Sequence, residues 1–287
     1  MDQHGTTVAE ILELEAAGDT TFVGRSPVGR EGTVFGGQLV AQALVAAQRS
    51  VEESRRVHSL HASYLRAGDP ARPIDYEVEP VRDGRSFSNR FVVGVQAKEV
   101  IRVMVSSQVP ANGPEFEPQG REGVPSVDPT TMMTYGEWLR TCTTNPEHHA
   151  IDNPGPIDIR LADPPVVGPG EPITDRVDYE MWVKLDGELP NDPNVHAAAL
   201  VWLTDKTIGD HITVPHGHRW TDGDTDSISL DHSVWLHRPA RVDGWLRYHQ
   251  TLVGTTSMRG LVRGEIHTAD GTHIASVAQE ALMRLPG

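Results

Sequence analysis

Between residues 33 and 51 the chain reads TVFGGQLVAQALVAAQRSV. Leu39, Val40, Ala43, Leu44, Ala46 and Ala47 leave little polar surface on the helix this run predicts. Such a helix belongs inside other elements. A second helical run, NVHAAALVWLTDKTIGDHI, starts at Asn194. Extended segments with two-residue alternation and β-branched content follow each of them. RVHSLHASYL, IDYEVEPVR, SFSNRFVVGVQ and VIRVMVSSQV come after the first helix. ISLDHSVWL, WLRYHQTLVG, RGLVRGEIHT and HIASVAQEALMR come after the second, with RDG and ADGT marking turns. A helix followed by an antiparallel run predicts a helix wrapped by a curved sheet, in each half.

The two halves also match residue by residue. At an offset of 170, Ser59, Leu60 and Ser63 meet Ser229, Leu230 and Ser233, and Val92 and Gly94 meet Val262 and Gly264. One further residue of slip sets Gln108 on Gln279. Two copies of one unit are expected: residues 1–109 as the first, 173–287 as the second, and 110–172 as a linker with a short helix near TTMMTYGEWLRTC. The stretch PANGPEFEPQGREGVPSVDP and the tract DPPVVGPGEP carry the Pro, Gly and acid content of a linker.

Two polar residues interrupt apolar stripes. If the second helix runs its full length, Ala197, Val201, Asp205, Ile208 and Ile212 share one face. A carboxylate buried there without partners costs several kcal/mol or is forced neutral. Either the helical register differs, or Asp205 is bonded at a kink, or it works. On the last strand Ala275, Val277, Gln279, Ala281 and Met283 share a face on which Gln279 alone is polar. Its amide offers donors and an acceptor, for a backbone partner or for a ligand. The pair Gly36-Gly37 opens the first helix, whose first N–H groups have no partner within it. A ligand carbonyl can approach these bare amides and the helix dipole. Close packing of helix on sheet is the other reading of the same pair.

Charge and cysteine content narrow the partners. Lys and Arg number 25 against 40 Asp and Glu, a formal net charge of −15. Nucleic acid is therefore not expected, since a phosphate backbone needs a basic face. One cysteine, Cys142, precludes an internal disulfide and fits a reducing compartment. No apolar run long enough to span a bilayer is present and the first residues carry acids, so a cytoplasmic location without membrane attachment is expected. His211, His216 and His218 complete no familiar metal-ligand spacing and read as loop histidines, so no metal is expected. No G-x-S-x-G motif occurs, which leaves a covalent hydrolase unsupported.

Six segments together resemble a known family: VFGGQLVAQALVAAQ, VHSLHASYLRAGD, VRDGRSFSNR, LDHSVWLHRP, RGLVRGE and ASVAQEALMR. In this order they are similar to the motifs of the type II, TesB-like acyl-CoA thioesterases. The resemblance implies an α+β fold, the double hotdog, with two helix-wrapped antiparallel sheet repeats in one chain. It implies hydrolysis of acyl-CoA to free acid and CoA, with no cofactor, by a chain that assembles as a homo-oligomer. By motif position the water-activating residues are Asp205 as general base, with Ser229 and Gln279 orienting the water. The same resemblance sets His58 near the site. Arg82, Arg85 and Arg90 form a basic group that can meet CoA phosphates, and Gly36 and Gly37 join them as candidate substrate contacts. WLTDKTIGDH lacks the aromatic residue common after the family Asp, and LRAGD stands for the usual LRPGD. A hotdog enoyl-CoA hydratase, which needs a paired Asp and His, and a noncatalytic acyl-CoA-binding module are the rivals.

Overall fold

Strands and helices alternate along the computed structural model, which describes residues 6–116, 128–143, 145, 155–162, 164, 176–219 and 225–285. The first half holds α1 (Val8–Ile11), β1 (Glu15–Ala16), β2 (Thr21–Gly24) and α2 (Gly36–Gln48). β3 (Arg56–Tyr64), β4 (Ile74–Asp83), β5 (Phe87–Val95) and β6 (Glu99–Gln108) follow. Next come β7 (Met133–Thr134), α3 (Tyr135–Cys142), β8 (Ile157–Leu161) and β9 (Asp178–Leu185). The second half continues with α4 (Pro193–Thr204), β10 (Asp226–Ser229) and β11 (Asp231–Leu236). It closes with β12 (Leu246–Thr256), β13 (Arg259–Thr268) and β14 (His273–Arg284).

The described strands form one antiparallel sheet ordered β1-β2-β4-β5-β6-β3-β11-β14-β13-β12-β9-β8-β7, with β10 also on β14. The duplication is visible in that order. β2-β4-β5-β6-β3 around α2 repeats as β9-β12-β13-β14-β11 around α4, and the copies meet where β3 pairs β11, Leu60 opposite Val234. A pseudo-twofold axis thus passes through the seam, and the antiparallel sheets wrap both helices as a double hotdog.

Helix α2 is enclosed as its composition requires, with Val40, Ala41, Ala43, Leu44 and Ala46 all fully buried. Two buried glutamines break its apolar surface. Gln42 donates to the Ile11 carbonyl at 2.6 Å and accepts from the Tyr76 hydroxyl at 2.9 Å, which satisfies its buried amide. The two helices run antiparallel: Phe35, at the start of α2, packs edge-on against Trp202 near the end of α4. Gln48, at the other end of α2, donates to the Asn194 carbonyl at 3.4 Å.

Three expectations change. The segment 110–172 contributes strands as well as a helix: Ile157 and Ile159 are fully buried and β8 pairs β9, an alternation within IDIRL that turn residues on either side conceal. The second helix stops at Thr204 rather than running to Ile212. The slip that matched Gln108 to Gln279 fails on strand register. Val92 pairs Val103 as Val262 pairs Gln279, so Val103 holds the place of Gln279 in the first copy. On β6 the inward positions are Ile101, Val103, Val105 and Ser107, and Gln108 lies on the other face.

Candidate active site

Asp205 is the residue that caps the C-terminus of α4. Beyond it Thr207 takes φ 67°, a left-handed conformation that costs a β-branched residue, and a 3₁₀ turn follows at Asp210–Ile212. The side chain is nonetheless buried, with 4% exposed. A helix C-terminus disfavours negative charge, and here the opposite end of the other helix answers it. The Gly37 N–H, in the first turn of α2, hydrogen-bonds the Asp205 carboxylate.

That approach explains the glycine pair. A Cβ on Gly36 would lie 2.7 Å from Asp205 Oδ2 and 3.1 Å from the Tyr64 hydroxyl. A Cβ on Gly37 would lie 2.5 Å from the Trp202 carbonyl oxygen and within 2.7 Å of the Phe35 ring. Contacts that short do not occur, so both positions need glycine for α2 to reach the carboxylate and the end of α4. Close packing is thus part of the role of Gly36-Gly37, against the end of α4 and against Tyr64 of β3, and the bare amide serves Asp205.

Gln279 comes to the same place from β14. Its Nε2 donates to Ser229 Oγ at 2.9 Å. Its Oε1 lies 2.5 Å from Nδ1 of His232, a fully buried histidine on β11 whose Nε2 lies 2.8 Å from the Thr204 hydroxyl. Burial lowers the His232 pKa to about 4, so the ring is neutral and carries one proton. An amide oxygen can only accept, which assigns that proton to Nδ1, while Nε2 faces a Thr204 hydroxyl that also donates to the Val201 carbonyl at 2.7 Å. His232 therefore fixes which way the Gln279 amide faces, with its NH₂ toward Ser229 and Asp205.

Burial dominates the electrostatics. It raises the Asp205 pKa from 3.8 to about 7, against the opposing pull of the Gly37 N–H, the Gln279 amide and Lys206. Asp210 is raised to about 7 by burial, with Lys206 opposing, and Lys206 itself is lowered to about 8 by burial and then by Arg30. The Lys206 ammonium sits 4.5 Å from the Phe35 ring centroid and 5.3 Å from that of Trp202, a cation–π setting. Asp205 Oδ1 is buried without a hydrogen-bond partner, as is the Tyr64 hydroxyl. A carboxylate oxygen and a phenol with unused bonding capacity therefore lie beside a half-buried serine at the centre of the site.

Asp205, Ser229, Gln279, Gly36 and Gly37 thus converge. His58 does not join them: its Nε2 lies 2.9 Å from Ser106 Oγ, and its ring packs edge-on against Phe87. Nor does the basic group. Phe87 pairs Gln108, which pairs Arg56, so the hairpin carrying Arg82 and Arg85 lies at the Arg56 end of the sheet, whereas the site lies at the Tyr64 end. Arg90 is turned inward, held by the Ser50 hydroxyl at 3.0 Å and the Asp83 carboxylate at 2.9 Å. The three histidines read as loop residues do not cluster: His211 is buried, stacked on Tyr179 and 2.6 Å from Gln250 Oε1, and His216 meets Thr255 Oγ1 at 3.0 Å. Two site residues escaped the sequence reading. His232 shares the inward face of its strand with Val234, the same signal that marked Gln279; Tyr64 carries no such mark.

Comparison with known proteins decides the lineage. The family model Acyl-CoA thioesterase matches residues 174–282, and the model for the acyl-CoA thioesterase N-terminal domain matches residues 25–108. The chain is 33% identical to acyl-CoA thioesterase 2 of Haemophilus influenzae, over 96% of each protein. The chain belongs to the acyl-CoA thioesterase family. The thioesterase superposes on an acyl-CoA thioesterase II, TesB2, from Mycobacterium marinum with a TM-score of 0.74, 29% identity and 98% of each chain covered. It shares the fold alone with a hot dog protein of unknown function from Alicyclobacillus acidocaldarius, with a TM-score of 0.75, 18% identity and 98% of each chain covered. The thioesterase is an acyl-CoA thioester hydrolase of TesB-like double-hotdog type.

Proposed function

We propose that Asp205, Ser229 and Gln279 hold and activate the water that cleaves the thioester. The ionised Asp205 carboxylate takes a proton from water as its oxygen bonds to the carbonyl carbon. The carbonyl's negative charge builds up near the N-terminal turn of α2 and the Tyr64 hydroxyl, the donor here with no other partner. Collapse of the adduct breaks the C–S bond, and the proton held by Asp205 passes to the departing CoA sulfur. One observation carries this reading: Asp205 Oδ1 is buried without a partner beside a serine and an amide that are already bonded to each other.

A hydratase would use an Asp–His pair, and His232 Nδ1 does lie 4.0 Å from Asp205 Oδ1. Both His232 nitrogens are engaged, however, and the ring is fully buried, so His232 is a positioning group. Residues 1–109 and 173–287 are the two hotdog units of this reading, and acyl-CoA the substrate. Trp235 and Met104 are exposed on the outer sheet face, with His61 packed against Trp235, an apolar patch that suits assembly as a homo-oligomer. Thiol release from decanoyl-CoA tests the reading. Wild type is expected to turn over and Asp205→Ala to lose turnover while keeping its fold; full turnover in that variant removes Asp205 from the mechanism, and no turnover by wild type at any chain length favours a binding module.

A further inference from the structure

The pseudo-twofold that relates the halves generates a second location equivalent to the catalytic one. Asp205 lies where the start of β11 meets the end of β3, beneath the N-terminus of α2: Asp231 pairs Ser63 there. The equivalent location is where the start of β3 meets the end of β11, beneath the N-terminus of α4. Trp235 pairs Ser59 at that end. A cavity of about 360 Å³ occupies it, within the range of small-molecule sites.

Its walls combine an apolar floor, Val57, Ala197, Leu200 and Leu236, with Arg56, Arg238 and three histidines, and among the described residues no carboxylate lines it. In a chain of net charge −15 that is an unusual local balance. Arg56 donates to the backbone carbonyls of Glu53 and Arg55, neutral acceptors, and forms no ion pair among the described residues. Arg238 is braced on the His273 carbonyl at 2.9 Å and reaches the exposed Glu115 at 3.2 Å. The decisive group is His196, in the second turn of α4 and only 4% exposed. Its Nδ1 accepts from the Val242 N–H at 3.3 Å, which sets the ring proton on Nε2. Burial lowers the pKa of the ring, and an Nδ1 that accepts from an N–H carries no proton. That buried Nε2–H has no partner, and the residue lines the cavity. A buried donor left unmade costs about 1–3 kcal/mol, a cost that an acceptor in the cavity would remove.

The catalytic groups are absent from this copy. Arg49 caps α2 where Asp205 caps α4, and Val103 stands where Gln279 does. Pro193 and Asn194 replace the glycine pair as the first residues of the helix, and Pro193 has no N–H to offer. A thioester bound there meets neither the carboxylate nor the amide of the catalytic copy.

We propose that this cavity is a second, non-hydrolytic site for an acyl group with an anionic head, its carbonyl oxygen accepting from His196 Nε2 and its charge facing Arg56 and Arg238. The choice of an acyl ligand rests on the substrate reading above; the site itself rests on the cavity and its unpartnered donor. Either the released carboxylic acid or acyl-CoA carries this chemistry. His196 and Asp205 stand at opposite ends of α4, so a ligand there touches the helix that carries the catalytic carboxylate.

Calorimetric titration separates the sources, with decanoate as one probe and a decanoyl-CoA ketone analogue, methylene in place of sulfur, as the other. At least one probe is expected to bind at a site that Ala197→Phe, which fills the cavity, abolishes while hydrolysis of decanoyl-CoA stays within twofold of wild type. Arg56→Gln with Arg238→Gln is expected to weaken that same site at least tenfold. Decanoate alone at this site identifies the free acid as the ligand, and the analogue alone identifies acyl-CoA. Binding of both probes at one site insensitive to Ala197→Phe and to the arginine changes overturns the proposal. Persistent turnover in Asp205→Ala would instead strike at the mechanism above and leave this site standing.

Discussion

Replacing Asp205 by Asn should destroy activity and strengthen the fold at the same time. In the folded protein burial lifts the carboxyl pKa from 3.8 to about 7. The folded state therefore holds a proton that the unfolded chain has released between those values, and ionising the group in place costs stability as pH rises. At about 1.4 kcal/mol per pH unit, the cost is roughly 2 kcal/mol at pH 5 and about 4 kcal/mol once pH exceeds 7. The Asp205→Asn variant has no charge at this position and escapes that penalty, while keeping an oxygen for the Gly37 N–H. Urea denaturation of wild type and Asp205→Asn at pH 5 and pH 8.5 measures the difference, because groups that do not interact with Asp205 cancel, and Lys206 and Asp210 add only their coupling to it. The variant's advantage should widen by about 2–3 kcal/mol between the two pH values, with thiol release from decanoyl-CoA lost at both. A gap that stays constant with pH, or a variant less stable at pH 8.5 than at pH 5 relative to wild type, would refute the claim that this carboxylate is desolvated and poised near neutrality.

The same ionisation should appear in kinetics: kcat/KM rises with pH through about 7 as Asp205 becomes the base, and a profile flat from pH 5.5 to 7.5 would contradict it. Gly36→Ala puts a methyl group 2.7 Å from Asp205 Oδ2 and should lower kcat at least tenfold, read by thiol release, with the melting temperature down by only a few degrees. His232→Leu leaves Gln279 Oε1 without its partner, so kcat should fall about tenfold or more with KM within twofold, and His232→Asn should recover part of the loss; equal damage to KM would mark a merely structural role. Ser229→Ala removes the acceptor of the Gln279 amide and should lower kcat in the same assay without changing the unfolding free energy in urea by more than about 1 kcal/mol.

Much of this molecule can be read from period alone. The strands from Arg56 to Gln108 and from Leu246 to Arg284 follow two-residue alternation, and α2 declares its enclosure through Leu39 to Ala47. Gln279 stood out because one inward position on β14 was polar among apolar neighbours. The stripe through Asp205 assumes a helix that ends one residue before it, yet an acid among apolar residues is an oddity in either geometry. What stayed hidden depends on contacts between distant segments. No local pattern says that the Gly37 amide will meet a carboxylate 168 residues further on, or that His232 will orient an amide on another strand. The arginines misled for a related reason. Their shared hairpin suggested a phosphate site, but Arg90 is engaged by Ser50 and Asp83, and the register carries the rest to the far end. β8 was lost because its five residues lie among turn formers.

The β3–β11 seam has an evolutionary consequence. A single unit able to pair this way with its own duplicate would carry two identical pockets, and any change to one would befall both. Once the units share one polypeptide, mutation can act on each separately. One pocket can keep the acid and the amide while its twin sheds them for arginine and valine, so the fused chain is free to specialise where a symmetric pair is not.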